Sequence, residues 1–226
     1  METIALFPLG MVLFPGVVLP LRVFEPRYQT LMEHLLDRPD GTPREFGVVA
    51  IRQGWEVGTD GIGALYDVGC TTRLRQVARH DNGTYAVVTV GYQRFRIGRI
   101  DSAGKPYFQA EIERLPDDVG SATEARVLAG TVAAIYRDHV AALAEAQHID
   151  PIDEAELPDD PLLLSSLVAA STPLDLADQQ DLLAAPDVVT RLRSELRLLK
   201  REATMLRVVH AVPIPLAELR VPFGVN

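Results

Sequence analysis

In the first half of the chain, apolar residues come in short alternating or continuous runs of about four to eight positions, the spacing of β-strands. The runs Ile4–Phe7, Val17–Val23, Phe46–Ile51, Ala64–Val77, Tyr85–Ile100 and Tyr107–Leu115 are rich in Val, Ile, Thr and aromatics, with turn residues between them. Asp81-Asn82-Gly83 predicts a hairpin joining Thr71–Arg79 to Thr84–Val90, because Asn and Gly tolerate the positive φ of tight turns. In the returning strand Tyr85, Val87 and Thr89 alternate with Ala86, Val88 and Val90. Both faces are apolar, which predicts a strand buried on two sides or closing a barrel. Gly91 predicts a bulge or bend before the strand resumes as Gln93–Ile97. One helix interrupts the strands: Tyr28, Leu31, Met32, Leu35 and Leu36 share a face, and Pro26 fixes φ at its start. Residues 37–45 and 53–63 read as loops.

From Ser121 the period becomes helical. Ser121 and Glu124 form a capping-box pattern ahead of an apolar face of Val132, Ile135, Tyr136, His139 and Leu143. Asp160-Pro161 opens a second helix, Leu162–Ala170, and Asp175 caps a third, Leu176–Ala184. A fourth runs from Asp187 to about Val209, with a heptad-like seam of Val189, Leu192, Leu196, Leu199, Ala203 and Leu206. Arg191, Arg193, Arg197 and Arg201 lie off that seam. Pro213, Pro215 and Pro222 keep the following residues extended. The expected division is a β unit over 1–116 and a helical unit over 117–226 with an extended tail. The seam completes the chain's own bundle, which predicts a monomer or at most a weak homodimer.

Charge sharpens this division. The net charge is −9, and acids balance bases in the first half, so the excess lies in the helical half. Glu145 to Asp187 holds no Lys or Arg. An acidic balance disfavours a general polyanion binder. Arg94 and Arg96, alternating with Phe95 and Ile97, are the one candidate basic strand face for nucleic acid. No run approaches about 18 uninterrupted apolar residues, so a membrane span is not expected, and the expected location is cytoplasmic.

Catalytic patterns are missing from the 226 residues. There is no G-x-x-x-x-G-K-[ST] phosphate loop and no G-x-S-x-G elbow. The two lysines, Lys105 and Lys200, sit in no serine–lysine context. The single cysteine, Cys70, excludes an internal disulfide and reads as a core residue. Five scattered histidines have no metal-ligand spacing, and no cofactor is expected. Phe24-Glu25-Pro26-Arg27-Tyr28 places an acid and a base two residues apart among aromatics. That composition fits an ion pair locking the helix in place better than a recognition surface.

Four stretches together resemble the Lon protease amino-terminal, substrate-binding domain family. They are Leu6-Phe-Pro-Leu-Gly-Met-Val-Leu-Phe14-Pro15-Gly16 through Tyr28, Phe46-Gly-Val-Val-Ala-Ile51, Gly69-Cys-Thr-Thr-Arg-Leu74 with Gly91-Tyr-Gln-Arg-Phe-Arg-Ile97, and Gln180-Asp-Leu-Leu-Ala-Ala-Pro-Asp-Val-Val-Thr-Arg-Leu192. The resemblance implies an α+β fold: a PUA-like, strongly bent β-barrel of about six strands and one helix, then a bundle of about four helices. It implies a stand-alone member without ATPase and peptidase domains. The function it implies is non-catalytic recognition of unfolded or hydrophobic polypeptide segments, as an adaptor or holdase working with a protease or chaperone. Trp55, Tyr66 and Phe108 are the candidate peptide contacts. Phe14, Pro15, Gly16, Phe24, Glu25, Pro26, Arg27 and Tyr28 form the family's structural motif. The alternatives are an RNA-binding PUA-like module and, behind it, a hydrolase with a concealed site.

Overall fold

The computed structural model describes residues 2–54, 62–101, 104–146, 157–209 and 224–225. The chain divides into two compact units. One runs to Pro116 and includes the short strand Gly224–Val225, and the other begins at Asp117.

In the first unit, strands β1 (Glu2–Leu9), β2 (Val18–Val23), β3 (Glu45–Gly54), β4 (Ile62–Leu65), β5 (Val68–Arg79), β6 (Tyr85–Asp101), β7 (Gln109–Arg114) and β8 (Gly224–Val225) form one sheet, with helix α1 (Pro26–Leu36) between β2 and β3. β1 pairs with β3 in parallel and with β7 antiparallel; β7 pairs with β6, β6 with β5, and β5 with β3. Those five strands therefore close a ring. The run predicted as one strand over Ala64–Val77 is one arm along β3, interrupted at Tyr66-Asp67. Two extra residues stand between the Ile51–Leu65 and Val48–Cys70 pairs, and the Asp67 carbonyl accepts from Ile97 N–H at 2.8 Å.

β1 is buried on both faces. Ala5, Phe7 and Leu9 join the core under α1, where Tyr28 stacks on Phe7 at 4.1 Å beside Leu31, Met32 and Leu35. Ile4 and Leu6 face the other way, with Val49, Phe95, Ala110 and Ile112. Phe95 of β6 crosses the ring to β3, a strand it does not pair with. A Cβ at Gly47 would stand 2.8 Å from its ring, and one at Gly69 only 2.5 Å. The two glycines make the space that Phe95 fills.

β6 is long because it serves two partners. Its first half pairs with β2 up to Val18–Val90, and its second half pairs with β7 from Phe95–Arg114 onward. Gly91 lies at the changeover, pressed against the loop before β2. A Cβ there would lie 2.1 Å from the Phe14 carbonyl oxygen. Gly16 N–H donates to Gly91 O at 2.8 Å, and Gly91 N–H donates to Val17 O at 2.9 Å. The predicted bulge follows: two steps on β5, from Thr72 to Cys70, match three on β6, from Gly91 to Arg94.

The second unit holds α2 (Ala122–Ala146), α3 (Pro161–Ser171), α4 (Leu176–Ala184) and α5 (Val188–Val209). Asp160 and Asp175 accept from Leu163 N–H and Asp178 N–H at 2.9 and 2.7 Å, as caps should. Asp187 does the same for Thr190 N–H at 2.7 Å. Ser121 Oγ accepts from Glu124 N–H at 3.4 Å, but Glu124 does not only serve the box: its carboxylate pairs with Arg193 of α5. Val189, Leu192 and Leu199 of the predicted seam pack on Ala125, Ala129 and Val132 of α2 and on Leu164 and Val168 of α3. By length and composition α2 is apolar enough to cross a bilayer, yet these residues of it face the helical core.

Replacing Gly91 with Ala should destabilise the protein by about 3 kcal/mol, because the new methyl collides with backbone and not with a flexible side chain. Gly130→Ala, mid-helix with nothing within 4 Å of the added Cβ, should instead stabilise by about 0.5–1 kcal/mol. Urea melts of both variants against the parent chain measure the contrast.

Candidate functional site

The hairpin of β5 and β6 with β2 makes a three-stranded face whose rows follow from register, since paired residues point the same way. Leu19–Thr89–Leu74, Leu21–Val87–Val77 and Val23–Tyr85–Arg79 form the rows of one face, and its β2 and β6 members are buried. The opposite rows are Val18–Val90–Arg73, Pro20–Val88–Gln76 and Arg22–Ala86–Ala78. Of the two alternatives the alternation offers, β6 does close the ring, but its Tyr85–Val90 half is not buried on both sides. The second apolar face of β6 is not buried: Val88 and Val90 are half-exposed, and Val18 is 49% exposed. The face therefore offers Val18, Pro20, Ala78, Ala86, Val88 and Val90 together, with Arg22, Arg73 and Gln76 among them. Tyr92, 45% exposed, extends it, with the Arg73 guanidinium 3.2 Å from its ring centre. Contiguous exposed apolar surface of this kind marks interaction sites.

Arg73 joins this face to a polar cluster. Its Nε donates to Glu45 at 3.1 Å, and Glu45 also accepts from Arg114 at 2.8 Å, which in turn grips Glu2 at 2.8 and 2.9 Å. Burial pushes the Glu45 carboxyl up, but hydrogen bonds from Arg114, Thr71 and Arg73 outweigh it and hold the group below its ordinary range. The Arg114 hydrogen bond lowers Glu2 likewise. These acids stay charged at neutral pH and anchor Arg114, so the cluster fixes the strands instead of offering a proton.

The sequence candidates fall elsewhere. Tyr66 is half-buried on the β4–β5 connection, where its N–H donates to Ala50 O at 3.0 Å. Phe108 is half-buried against the ring core with Leu65 and Ile97. Trp55 lies outside the described residues. Tyr66 and Phe108 belong to neither row set of the three-stranded face. The nucleic-acid face expected of Arg94 and Arg96 is divided: Arg96 is exposed, but Arg94 is 3% exposed and donates to Pro116 O at 2.9 Å. The bulge beside it turns Arg94 inward, out of reach of a phosphate. In the motif around α1, Arg27 bonds Glu25 at 3.0 Å with both side chains buried, and its guanidinium lies 4.5 Å from the Tyr28 ring centre. Phe14 and Pro15 are buried beside Gly91.

The helical unit holds buried ionisable groups that the seam pattern concealed. Arg191 and Glu195, both 1% exposed, widen the buried stripe of α5. Arg191 lies off the seam one turn before Glu195, so the two extend the seam sideways. Ser165 of α3 donates to Glu195 Oε1 at 2.7 Å. Burial pushes the Glu195 carboxyl up to about 8, against the opposing pull of that hydrogen bond and of Arg191. His139 of α2 is 3% exposed, with no partner on either ring nitrogen among the described residues, and burial lowers its pKa against the pull of Glu202. Among the described residues no cluster of His, Cys, Asp or Glu could hold a metal ion.

The first unit is a strand ring with an apolar outer face on its three-stranded extension, and the second is a set of four helices. A family model described as the ATP-dependent protease La (LON) substrate-binding domain matches residues 3–201, and the chain belongs to that family. It is 31% identical to Lon protease 2 of Sorangium cellulosum over 214 residues, which is 92% of this chain and 26% of that protein. It is 28% identical to Lon protease of Escherichia coli strain K12 over 199 residues, 87% of this chain and 24% of that one. The chain thus spans about a quarter of the length of these curated relatives. Two solved structures share the fold. A Lon N-terminal domain protein from Xanthomonas campestris matches at TM-score 0.59 and 22% identity, covering 87% of this chain and 98% of that one. The N-terminal domain of Mycobacterium avium complex Lon protease matches at TM-score 0.60 and 18% identity, covering 88% and 98%.

Glu195 predicts an alkaline weakness. Its folded pKa of about 8 exceeds the reference 4.5, so between those values the folded state holds the extra proton and stability falls as pH rises. His139, lowered from 6.5, acts oppositely and costs stability as pH falls below that value. Glu195→Gln, which keeps the shape without the charge, should flatten the decline between pH 7 and 8. Urea melts followed by far-ultraviolet circular dichroism across that window test it.

Proposed function

We propose that this chain recognises unfolded or extended hydrophobic polypeptide segments and catalyses no turnover of them. The observation that carries the reading is the solvent-facing apolar sheet surface of β2, β6 and β5, on which Val18, Pro20, Val88, Val90 and Tyr92 stand together. An extended segment places alternate side chains on one side, and those can lie along such a surface while its backbone follows a strand. The arginines set into the face, Arg22 and Arg73, favour segments flanked by acids over basic ones. The description of the matching family as a substrate-binding domain supports the same ligand class. The chain would then act as an adaptor or holdase that hands bound segments to a protease or chaperone.

Reduced, carboxymethylated lactalbumin labelled with fluorescein is a suitable unfolded probe. Fluorescence anisotropy should show saturable binding, with no hydrolysis of probe or ATP. Val18→Asp and Tyr92→Asp should each weaken binding about tenfold, since a charge on an apolar contact must be desolvated. Val127→Asp, at a 67% exposed position of α2, should leave it unchanged. Equal affinity in all three variants rejects the surface, and no saturable binding by the parent rejects the function.

A further inference from the structure

Among the described residues, the outer side of β2 is engaged over two positions. There Leu21 and Arg22 face Gly224 and Val225 of β8, which runs parallel to β2 at the end of the sheet path. Pro20 lacks an N–H, and proline within a sheet is confined to edges, so β2 is built as an edge strand. Its positions 18 to 20 have no strand partner on that side among the described residues. Beside the edge lies an open groove of about 590 Å³, lined by Leu21, Arg22, Ala86 and residues of the β5–β6 turn. The two residues that pair with β8 thus also line the groove.

We infer that the β2 edge is where a bound polypeptide adds as a strand, and that the chain's own Gly224–Val225 segment occupies this edge in competition with it. The inference rests on the polypeptide-binding reading and adds its geometry and its control. A strand laid on this edge aligns its backbone with the free groups of β2, and its alternate side chains continue the rows that begin at Val18, Pro20 and Arg22. Two paired residues give few backbone hydrogen bonds, each modest net of water, and parallel pairing is the weaker kind. A longer extended segment can follow β2 on both sides of Pro20, which supplies no donor, and displace them. The segment Val221-Pro-Phe-Gly-Val225 is itself apolar, the same chemistry as the ligand it would exclude.

Two double variants separate the cases. Arg22→Cys with Val225→Cys places thiols at partner positions, so oxidation should lock β8 on the edge; the natural Cys70 is buried and stays out of the reaction. Gly224→Pro with Val225→Pro removes both N–H donors and frees the edge. The probe is a short fluorescein-labelled peptide of alternating Val and Thr, read by anisotropy. The oxidised lock should bind about tenfold more weakly than its own reduced form, and the double-proline chain about threefold more tightly than the parent, as expected when a competitor's population is raised or removed. Affinities that do not change in either variant overturn the competition and leave polypeptide binding standing. Failure of the two cysteines to bridge overturns the register. Absence of binding in every form overturns the inference together with the function it rests on.

Discussion

A carbonyl oxygen lying where a side chain would otherwise begin governs the β unit. Phe14 O sits 2.1 Å from the place of a Cβ at Gly91, and hydrogen bonds between Gly91 and the Gly16–Val17 segment hold the two chains together. That contact fixes where the loop before β2 crosses β6, and so where β6 stops pairing with β2 and starts pairing with β7. A residue with any side chain would push the loop outward and uncouple the two halves. Only a backbone without a Cβ lets one strand serve both the closed ring and the open three-stranded extension.

From that pivot the two faces of β6 acquire different fates. Beyond it, Phe95 crosses the ring into space left by Gly47 and Gly69. Before it, Ala86, Val88 and Val90 have no ring to fill and look to solvent. The exposed apolar face is thus a by-product of closure: the strand continues past the ring it completes and carries its apolar alternation with it. Charged groups are placed to hold this arrangement and not to react. Glu45, Arg73, Arg114 and Glu2 tie β1, β3, β5 and β7 together where the ring meets the open face. Glu25 and Arg27 satisfy each other at the start of α1, where an unpaired charge would be costly.

The helical unit solves a different problem. Its four helices bury a stripe wider than aliphatic residues alone supply, and Arg191, Glu195, Ser165 and His139 complete it. Glu195 holds its proton near neutrality because burial penalises its charged form by more than the Ser165 hydroxyl and the Arg191 guanidinium favour it. Ser165, Glu195 and Arg191 thus form a buried polar group inside the helical unit.

Local signals determined much of this protein. The capping aspartates, the Asn-Gly turn, Pro26 at the head of α1 and the i, i+3, i+4 spacing of Tyr28 to Leu36 each act within a few residues, and each was legible in order. The Pro-Gly punctuation of the first thirty residues, with three further stretches, indicates the family. What stayed hidden depends on partners far apart in sequence. Alternation shows that both faces of β6 are apolar, but whether the second face meets a core or solvent depends on how many strands pass beside it. The same strand spacing made Arg94 look exposed, until a one-residue bulge turned it inward. The heptad pattern of α5 left out Arg191 and Glu195, since a seam read from apolar residues cannot register buried ionic ones. The aromatics Tyr66 and Phe108 stand off the exposed apolar face, which is made largely of valines, alanines and a proline with no individual signature. The sequence determined which segments would be strands and helices, because that chemistry is local; only the tertiary structure decided which apolar face was left uncovered, because burial is a property of the neighbours.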